Sequence, residues 1–228
     1  MHQVAQAKPA DLVCDVACGG GLVSCAFAPY VASVVGVDMV STMLDRARAL
    51  AAERGLRNVT FVTGDATELP FPSGTFSIVV SRYALHHMQS PSAFVSELER
   101  VCAPGGLVVL SDVAAHSAPN KAANFNRVEV LRDPSHARFL SSKELIDVVE
   151  QAGLHVMRTA PGAISDVLES LLARSFPASD SDRATIRSSF REAISNDVLG
   201  IPVQWTSDRQ DVKYSYPTLS IAALKPLQ

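Results

Sequence analysis

The sequence predicts an α/β fold: a doubly wound, mostly parallel sheet of seven strands, with helical insertions toward the C-terminal end. Three observations carry that prediction. Short apolar, β-branched runs alternate with helix-patterned segments through the first 115 residues. The runs are apolar at consecutive positions, as strands covered on both faces of a parallel sheet must be. The first run then breaks into Gly19-Gly20-Gly21 where a strand hands over to a helix. Glycine in such a turn marks a place where a partner approaches the backbone too closely for a Cβ.

In chain order, residues 11–17 and 33–38 are the first two strands, and 59–64, 76–81 and 107–113 the next three. No charged residue occurs between Val16 and Val37, which is long enough for a membrane span. Three glycines and Pro29 interrupt that stretch and Asp15 and Asp38 bracket it, so strand, loop, short helix and strand account for it. Helix 41–55 places Leu44, Ala47 and Ala51 on one face, with Ser41 as N-cap and Gly55 as its stop. Helix 91–102 carries Phe94, Leu98 and Val101 and ends at Pro104-Gly105-Gly106. An amphipathic helix over 141–153 (Leu145, Val148, Val149, Ala152) precedes a strand at 154–159. Two further helices are expected at 163–176, with Ile164, Leu168 and Leu171, and at 180–199, with Ile186, Phe190, Ile194 and Val198. Their stripes serve equally as core or as the face of a homodimer. A strand at 218–224 closes the chain.

Bulk properties narrow the classes. A chain of 228 residues that is 47% hydrophobic can bury one sizeable core. The net charge of −3 and the lack of a Lys/Arg run point away from nucleic acid. Four cysteines without CxxC spacing (Cys14, Cys18, Cys25, Cys102) predict reduced core thiols, and neither disulfides nor a metal site. With no basic n-region at the N-terminus, the expectation is a cytoplasmic protein with no membrane partner.

The glycine turn is the richest signal. A dinucleotide fingerprint needs G-x-G-x-x-G, but from Gly19 the chain reads G-G-G-L-V-S, which disfavours a nicotinamide-dependent oxidoreductase. An acidic residue precedes the glycines, in Asp15-x-Ala17-x-Gly19-x-Gly21. A carboxylate there repels a pyrophosphate and suits a ligand with an amino group. Asp38 ends the second strand, where a ribose-hydroxyl partner belongs, and Asp65 ends the third. Taken singly, Asp38 also reads as a helix cap and Asp65 as a turn residue. Together, three carboxylates at successive strand ends call for one ligand with an amino acid, a ribose and an adenine: S-adenosylmethionine.

These residues resemble class I S-adenosylmethionine-dependent methyltransferases of the small-molecule type, similar to the ubiquinone/menaquinone-biosynthesis group. The resemblance spans about residues 11–160, through the glycine turn, Gly36-Val-Asp38-Met-Val-Ser-Thr-Met43-Leu, Gly64-Asp65-Ala66-Thr-Glu-Leu-Pro70-Phe, Phe76-Ser-Ile-Val-Val-Ser81-Arg-Tyr-Ala-Leu-His86-His87 and Ala103-Pro-Gly-Gly106. It implies a Rossmann-like methyltransferase fold in a single domain, 1–228, with a cofactor-binding half at 11–115. The substrate-side half is then 116–228, with its helical insertion at 163–200. It also implies that the Ala17–Gly21 backbone, including Cys18, Gly19 and Gly21, holds the methionine moiety near Asp15, with Ser81 offering its carbonyl and Arg82 and Tyr83 bordering the site. Asp38 would bind the ribose, Met39 and Met43 would pack beside the adenosyl group, and Gly64, Asp65 and Ala66 would frame the adenine. S-adenosylhomocysteine is the implied product.

Two departures stand out: alanine occupies position 17, where the family has glycine and where a negative φ or strain is required, and only residues 1–10 precede the first strand, where relatives carry covering helices. Both leave open a cofactor-binding protein without methyl transfer, either a scaffold or a cofactor-assisted cyclase. For chemistry, His86 and His87 follow the fourth strand. They read either as proton acceptors, with His86 facing the pocket, or as local capping groups. Arg132-Asp133-Pro134-Ser135-His136 reads as a turn in preference to a pocket wall. Trp205, Tyr214 and Tyr216 suit either an apolar aromatic substrate or the core.

Overall fold

A computed structural model describes residues 5–175 and 179–227. Five parallel strands form one side of the sheet: β1 (Leu12–Val16), β2 (Ser33–Asp38), β3 (Val59–Thr63), β4 (Phe76–Arg82) and β5 (Cys102–Val113). Helices α1 (Leu22–Phe27), α2 (Ser41–Glu53) and α3 (Pro91–Val101) connect them. Beyond β5 come α4 (Pro119–Arg132), α5 (Ser142–Gln151), β6 (His155–Val167), α6 (Leu168–Arg174), α7 (Asp180–Asn196), β7 (Val203–Trp205) and β8 (Val212–Leu224). The sheet order is β3-β2-β1-β4-β5-β8-β6, with β7 added on β8. β8 runs antiparallel to β5, β6 and β7. Strand order reverses between β1 and β4, so the loops leaving these two strands part and open a crevice at their carboxyl ends.

Side-chain alternation sends each central strand's apolar residues to two cores. Cys14, Val16, Val79, Val108 and Leu110 pack with Phe94 and Leu98 of α3 and Leu145 of α5. Val13, Ile78, Val80 and Val109 pack on the other face with Phe27 and Val34. Burial on both faces explains the uninterrupted apolar runs. Ser90 caps α3 by accepting from Ala93 N–H, and Ser141 with Glu144 forms a capping box on α5.

Several expectations are corrected. Residues 163–167 are strand and not helix: β6 pairs with β8 from His155 opposite Leu224 to Val167 opposite Lys213, so β8 begins at Val212 and not at 218. The long-range ladder overrides the helical spacing of Ile164, Leu168 and Leu171, and only Leu168–Arg174 is helical. Phe176, at the end of that expected helix, lies outside the described residues. Val203–Trp205 adds an eighth strand. Val40 occupies the N-cap of α2, without a side-chain bond, and Ser41 is the first helical residue. α4 forms where the sequence patterning assigned no element.

The stripes on α6 and α7 are core. Leu168, Leu171, Leu172, Ile186 and Phe190 are buried with Phe125 of α4 and with Tyr214 and Tyr216 of β8. The two tyrosines are therefore core residues, and Trp205 stands apart at 39% exposed. No helix among the described residues is long and apolar enough to cross a membrane. All four cysteines are free thiols.

A buried carboxylate on α4 ties that helix to β8. Glu129 is fully buried; its Oε2 accepts from Arg132 Nε at 2.9 Å and Nη2 at 2.8 Å, and its Oε1 accepts from the Tyr216 hydroxyl at 2.6 Å. Arg132→Ala would leave Glu129 charged in the interior with only the tyrosine. Urea denaturation should show a loss of about 3 kcal/mol or more, and the double variant Glu129→Gln/Arg132→Met should lose less than the single one.

Candidate functional site

The loop after β1 is built to lie flat. Ala17, Gly19 and Gly21 all take positive φ, at 54°, 51° and 77°. Gly21 N–H donates to Cys18 O at 3.0 Å, which closes a tight turn, and Cys25 N–H donates to Gly21 O at 2.9 Å to start α1. A Cβ on Gly21 would lie 2.8 Å from Ala47 Cβ, so glycine lets α1 and α2 come together. A Cβ on Gly20 would meet nothing within 4 Å, because that side of the loop is open. The requirement for negative φ at position 17 is thus not met: an alanine is held in the left-handed region, at a cost of about 1–2 kcal/mol.

Asp38, at the end of β2, reaches across to this loop. Its Oδ2 accepts from Gly19 N–H at 2.8 Å and its Oδ1 from Val40 N–H at 2.9 Å. Each oxygen keeps a second lone pair for a ligand hydroxyl. Asp65 Oδ1 accepts from the Thr67 N–H and hydroxyl, both at 2.7 Å, and this pair of bonds holds its carboxyl below the ordinary range. Two hollows adjoin the loop. Ala17, Asp38, Met39, Gly64, Asp65, Ala66 and Met88 line one. Asp15, Ala17, Cys18, Gly19, Gly20, Arg82 and Tyr83 are among the residues that line the other. Ala17 borders both, so an elongated ligand crossing it has an end in each. Met43, beside the loop, comes within 3.4 Å of a Cβ built on Gly19. Met39 is 73% exposed, an apolar side chain left uncovered beside the first hollow.

The second hollow carries both signs of charge. Asp15 is buried at its floor, where Ser24 Oγ donates to it at 2.5 Å. Burial pushes its carboxyl up to about 7, with the Ser24 hydrogen bonds and the Arg82 charge opposing the rise. The Arg82 guanidinium lies 4.8 Å over the Tyr83 ring. Ser81 is buried and donates its hydroxyl to Val16 O at 2.9 Å, binding β4 to β1 beneath the crevice. A wider cleft opens at the amino ends of β4 and β5, beside Lys8, Asp11, Ser77 and Gly105, away from the carboxyl ends of the parallel strands.

His86 does not line either hollow, contrary to expectation. It is buried, with Nδ1 2.7 Å from Asp112 Oδ1 and its ring against His87, His136 and Phe139. His87 Nδ1 lies 3.2 Å from Ser135 O. Arg132 ends α4, and the turn expected over 132–136 is made by Asp133 to His136: Ser135 N–H donates to Asp133 Oδ1 at 2.9 Å and His136 N–H to Asp133 O at 2.9 Å. It also covers the histidines. Burial, followed by His86 and His87, depresses His136 to about 4, and burial likewise lowers His87. Asp112 and Met88 were not singled out from the sequence. Asp112 bore a signal like that of the three carboxylates that were, an acidic residue near the carboxyl end of an apolar run.

Residues 14–110 match the methyltransferase domain family. The uncharacterized methyltransferase YcgJ of Bacillus subtilis is 38% identical over 144 residues, 63% of this chain and 57% of that one. Its crystal structure matches with a TM-score of 0.87 at 27% identity, over 99% of this chain and 96% of that one. A Bacillus halodurans protein described as a candidate methyltransferase matches at 0.90 and 30% identity, over 98% of this chain and 96% of that one. A demethylmenaquinone methyltransferase of Beutenbergia cavernae is 31% identical over 64% of this chain and 59% of its own length. These matches span less than two thirds of the two curated relatives' lengths.

Two outcomes follow from the loop. Ala17→Gly should stabilise the ligand-free protein by about 0.5–1 kcal/mol in urea denaturation, since relief of the left-handed strain exceeds the added freedom of the unfolded chain. Asp15 titrates near 3.8 when unfolded and at about 7 when folded. Between those values the folded chain keeps a proton that the unfolded chain has lost, so stability falls as pH rises through the window and levels off above it. Asp15→Asn removes this dependence. Thermal denaturation should show the variant gaining on the parent at about pH 8 and not at about pH 4.

Proposed function

We propose, from the premise that the chain belongs to the class I S-adenosylmethionine-dependent methyltransferases, that it methylates a small, aromatic or quinone-like acceptor. The observation that carries the reading is the pair of hollows joined at Ala17, one bordered by Asp38 and Asp65 and the other by Asp15 and Arg82. The first suits an adenosine: Asp38 accepts from ribose hydroxyls, Met39 supplies an apolar face for the adenine, and Asp65 and Ala66 address its edge. The second suits an amino-acid end, with Asp15 opposite an ammonium, Arg82 opposite a carboxylate and the Cys18–Gly20 backbone between them. The Ser81 carbonyl adds a further acceptor for the ammonium. The likeness to a demethylmenaquinone methyltransferase supports the acceptor class.

When bound, the cofactor supplies an electrophilic methyl group on a sulfonium. The chain's own work is alignment, exclusion of water and, for an acceptor bearing O–H, removal of a proton. His86 and His87, on the segment between Tyr83 and Met88, are the candidates to take that proton. In this division the first half of the chain, 11–115, holds the cofactor, and the 116–228 half shapes the acceptor side.

Titration calorimetry tests the cofactor. S-adenosylhomocysteine should bind and NAD should not. Asp38→Ala, which removes a charged acceptor and frees Gly19 and Val40 N–H, should weaken binding by at least about tenfold. Undiminished affinity in that variant would remove the ribose assignment. Incubation of the protein with a methyl-labelled donor and a metabolite extract should place label in a small organic product. Binding without any labelled product would favour a non-methylating protein instead.

A further inference from the structure

Apart from the two hollows, a groove of about 450 Å³ opens past the carboxyl end of β5, between the first turns of α4 and the segment leading into α5. Ala122, Ala123 and Ala137 give it a short apolar wall. The acceptors that line it are already engaged. Asn126 Oδ1 accepts from Phe139 N–H at 2.6 Å and faces His136 Nε2 at 2.8 Å. Glu144 Oε2 accepts from the Ser141 N–H at 2.8 Å and hydroxyl at 2.7 Å, and Oε1 from Arg138 Nη2. The donors are not so engaged. Among the described residues Arg138 commits Nη2 alone, to Glu144, which leaves the hydrogens on Nε and Nη1. Ala118 N–H donates to His116 Nδ1 at 2.9 Å, so that nitrogen is bare and Nε2 carries the ring hydrogen. A Cβ on Gly200 would lie 2.5 Å from His116 Cβ, so a second segment presses on this residue and restricts it. The Ser117 hydroxyl has no partner among the described residues. Asp197, whose charge is felt at His116, is paired with Lys121.

We propose that this groove is a binding site for a small carboxylate: the uncommitted hydrogens of Arg138, His116 and Ser117 take the acid group, and the alanine wall takes an apolar body such as a single ring. The inference goes beyond the methyltransferase reading and stands without it, since no residue of the groove borders either hollow. The count of free groups selects the ligand. An ammonium would bring hydrogens to a groove whose carboxylate and amide oxygens are taken, whereas a carboxylate brings two acceptor oxygens and no hydrogen. A hydrogen bond from a guanidinium to a carboxylate is charge-assisted, and so favours the acid over the corresponding alcohol or amide. The Arg138 side chain is 58% exposed, so its pairing with Glu144 orients the guanidinium without cancelling its charge. The segment that carries it is fixed in advance, because Ala137 and Arg138 N–H both donate to His86 O, at 2.8 and 3.0 Å. A cavity of this volume is ample for a ring bearing one acid group.

The test uses the ¹⁵N-labelled full chain, titrated with benzoate or with benzyl alcohol at constant ionic strength. Benzoate should shift the Arg138 Nε–H and the Ser117 and Ala118 amide resonances in a saturable way. Benzyl alcohol, with the same ring and no acid, should bind at least about tenfold more weakly. Absence of saturable shifts, equal binding of the two probes, or benzoate shifts confined to other parts of the chain overturns the proposal without any variant. Long-range ¹H–¹⁵N spectra at neutral pH should show His116 with a bare Nδ1 and a protonated Nε2, and the opposite tautomer overturns it as well. Arg138→Gln should weaken benzoate by at least about tenfold. His116→Phe keeps a ring against Gly200 and removes the donor, and should weaken benzoate by about threefold or more. Unchanged benzoate affinity in both folded variants overturns the proposal. Loss of S-adenosylhomocysteine binding in the wild-type protein would count against the methyltransferase reading alone, because the benzoate shifts are read without any cofactor.

Discussion

The carboxylate of Asp38 is the constraint on which the site depends. By accepting one N–H from the glycine loop and another from the start of α2, it fastens the connection leaving β1 to the connection leaving β2. Cys18 N–H, donating to Val37 O at 2.9 Å, makes a second tie between the same segments. For the loop to settle there, the strand beneath must be bare. A Cβ on Gly36 would lie 2.6 Å from Phe61 Cδ1 and 2.9 Å from Cys18 Sγ. The chain therefore forgoes side chains at Gly36 and Gly21, and two strands and two helices meet closely enough for one carboxylate to span them. A ligand hydroxyl arriving at Asp38 meets an acceptor that is already oriented, with no side-chain freedom left to lose.

Strain is placed where β1 and β4 part. Ala17 and Tyr83, each just beyond its strand, are non-glycine residues with φ of 54° and 58°. Neither is free to relax. The Ser81 hydroxyl holds β4 to Val16 O, and Tyr83 N–H donates to Ser111 O at 2.8 Å, so the backbone on either side is fixed by the sheet. Both turns bring neighbouring residues to the crevice: Cys18 to Gly20 from one side, Arg82, Tyr83 and Met88 from the other. Two unfavourable conformations, each costing about 1–2 kcal/mol, are sustained because the ladders around them over-determine the path.

The parallel part of the fold was legible because β1, β2, β4 and β5 each carry their own signal, an apolar run covered on both faces, and the edge strand β3 a β-branched one. The carboxyl-end acids were legible for the same reason, since each interrupts such a run. The long β6–β8 pairing was not. Its outer half joins Ile164 to Tyr216 and Ser165 to Ser215, partners some fifty residues apart, and β6 is largely exposed, with Pro161-Gly162 breaking any alternation. A local pattern of Ile164, Leu168 and Leu171 then mimics a helix, which only the ladder corrects. In the site, Asp38 and Asp65 border one hollow and Asp15 the other, and the two hollows share Ala17. The contact of Asp112 with His86 was hidden because the two lie 26 residues apart and meet only through the adjacency of β4 and β5.

The buried carboxylates differ in how fully they are answered, and that difference sorts them. Glu129 is met by a guanidinium and a phenol, and Asp112 by an imidazole and two backbone N–H groups. Acids so saturated have little capacity left for a newcomer, and their effect is to hold other residues still. Asp15 is equally buried but, among the described residues, its hydrogen bonds come from Ser24, and burial outweighs them in setting its ionisation. A carboxyl in this condition gains most from an arriving cation, because the cation supplies the compensation the fold withholds. That the under-answered acid, and neither of the saturated ones, borders the open face of the glycine loop is what a site for an ammonium-bearing ligand requires.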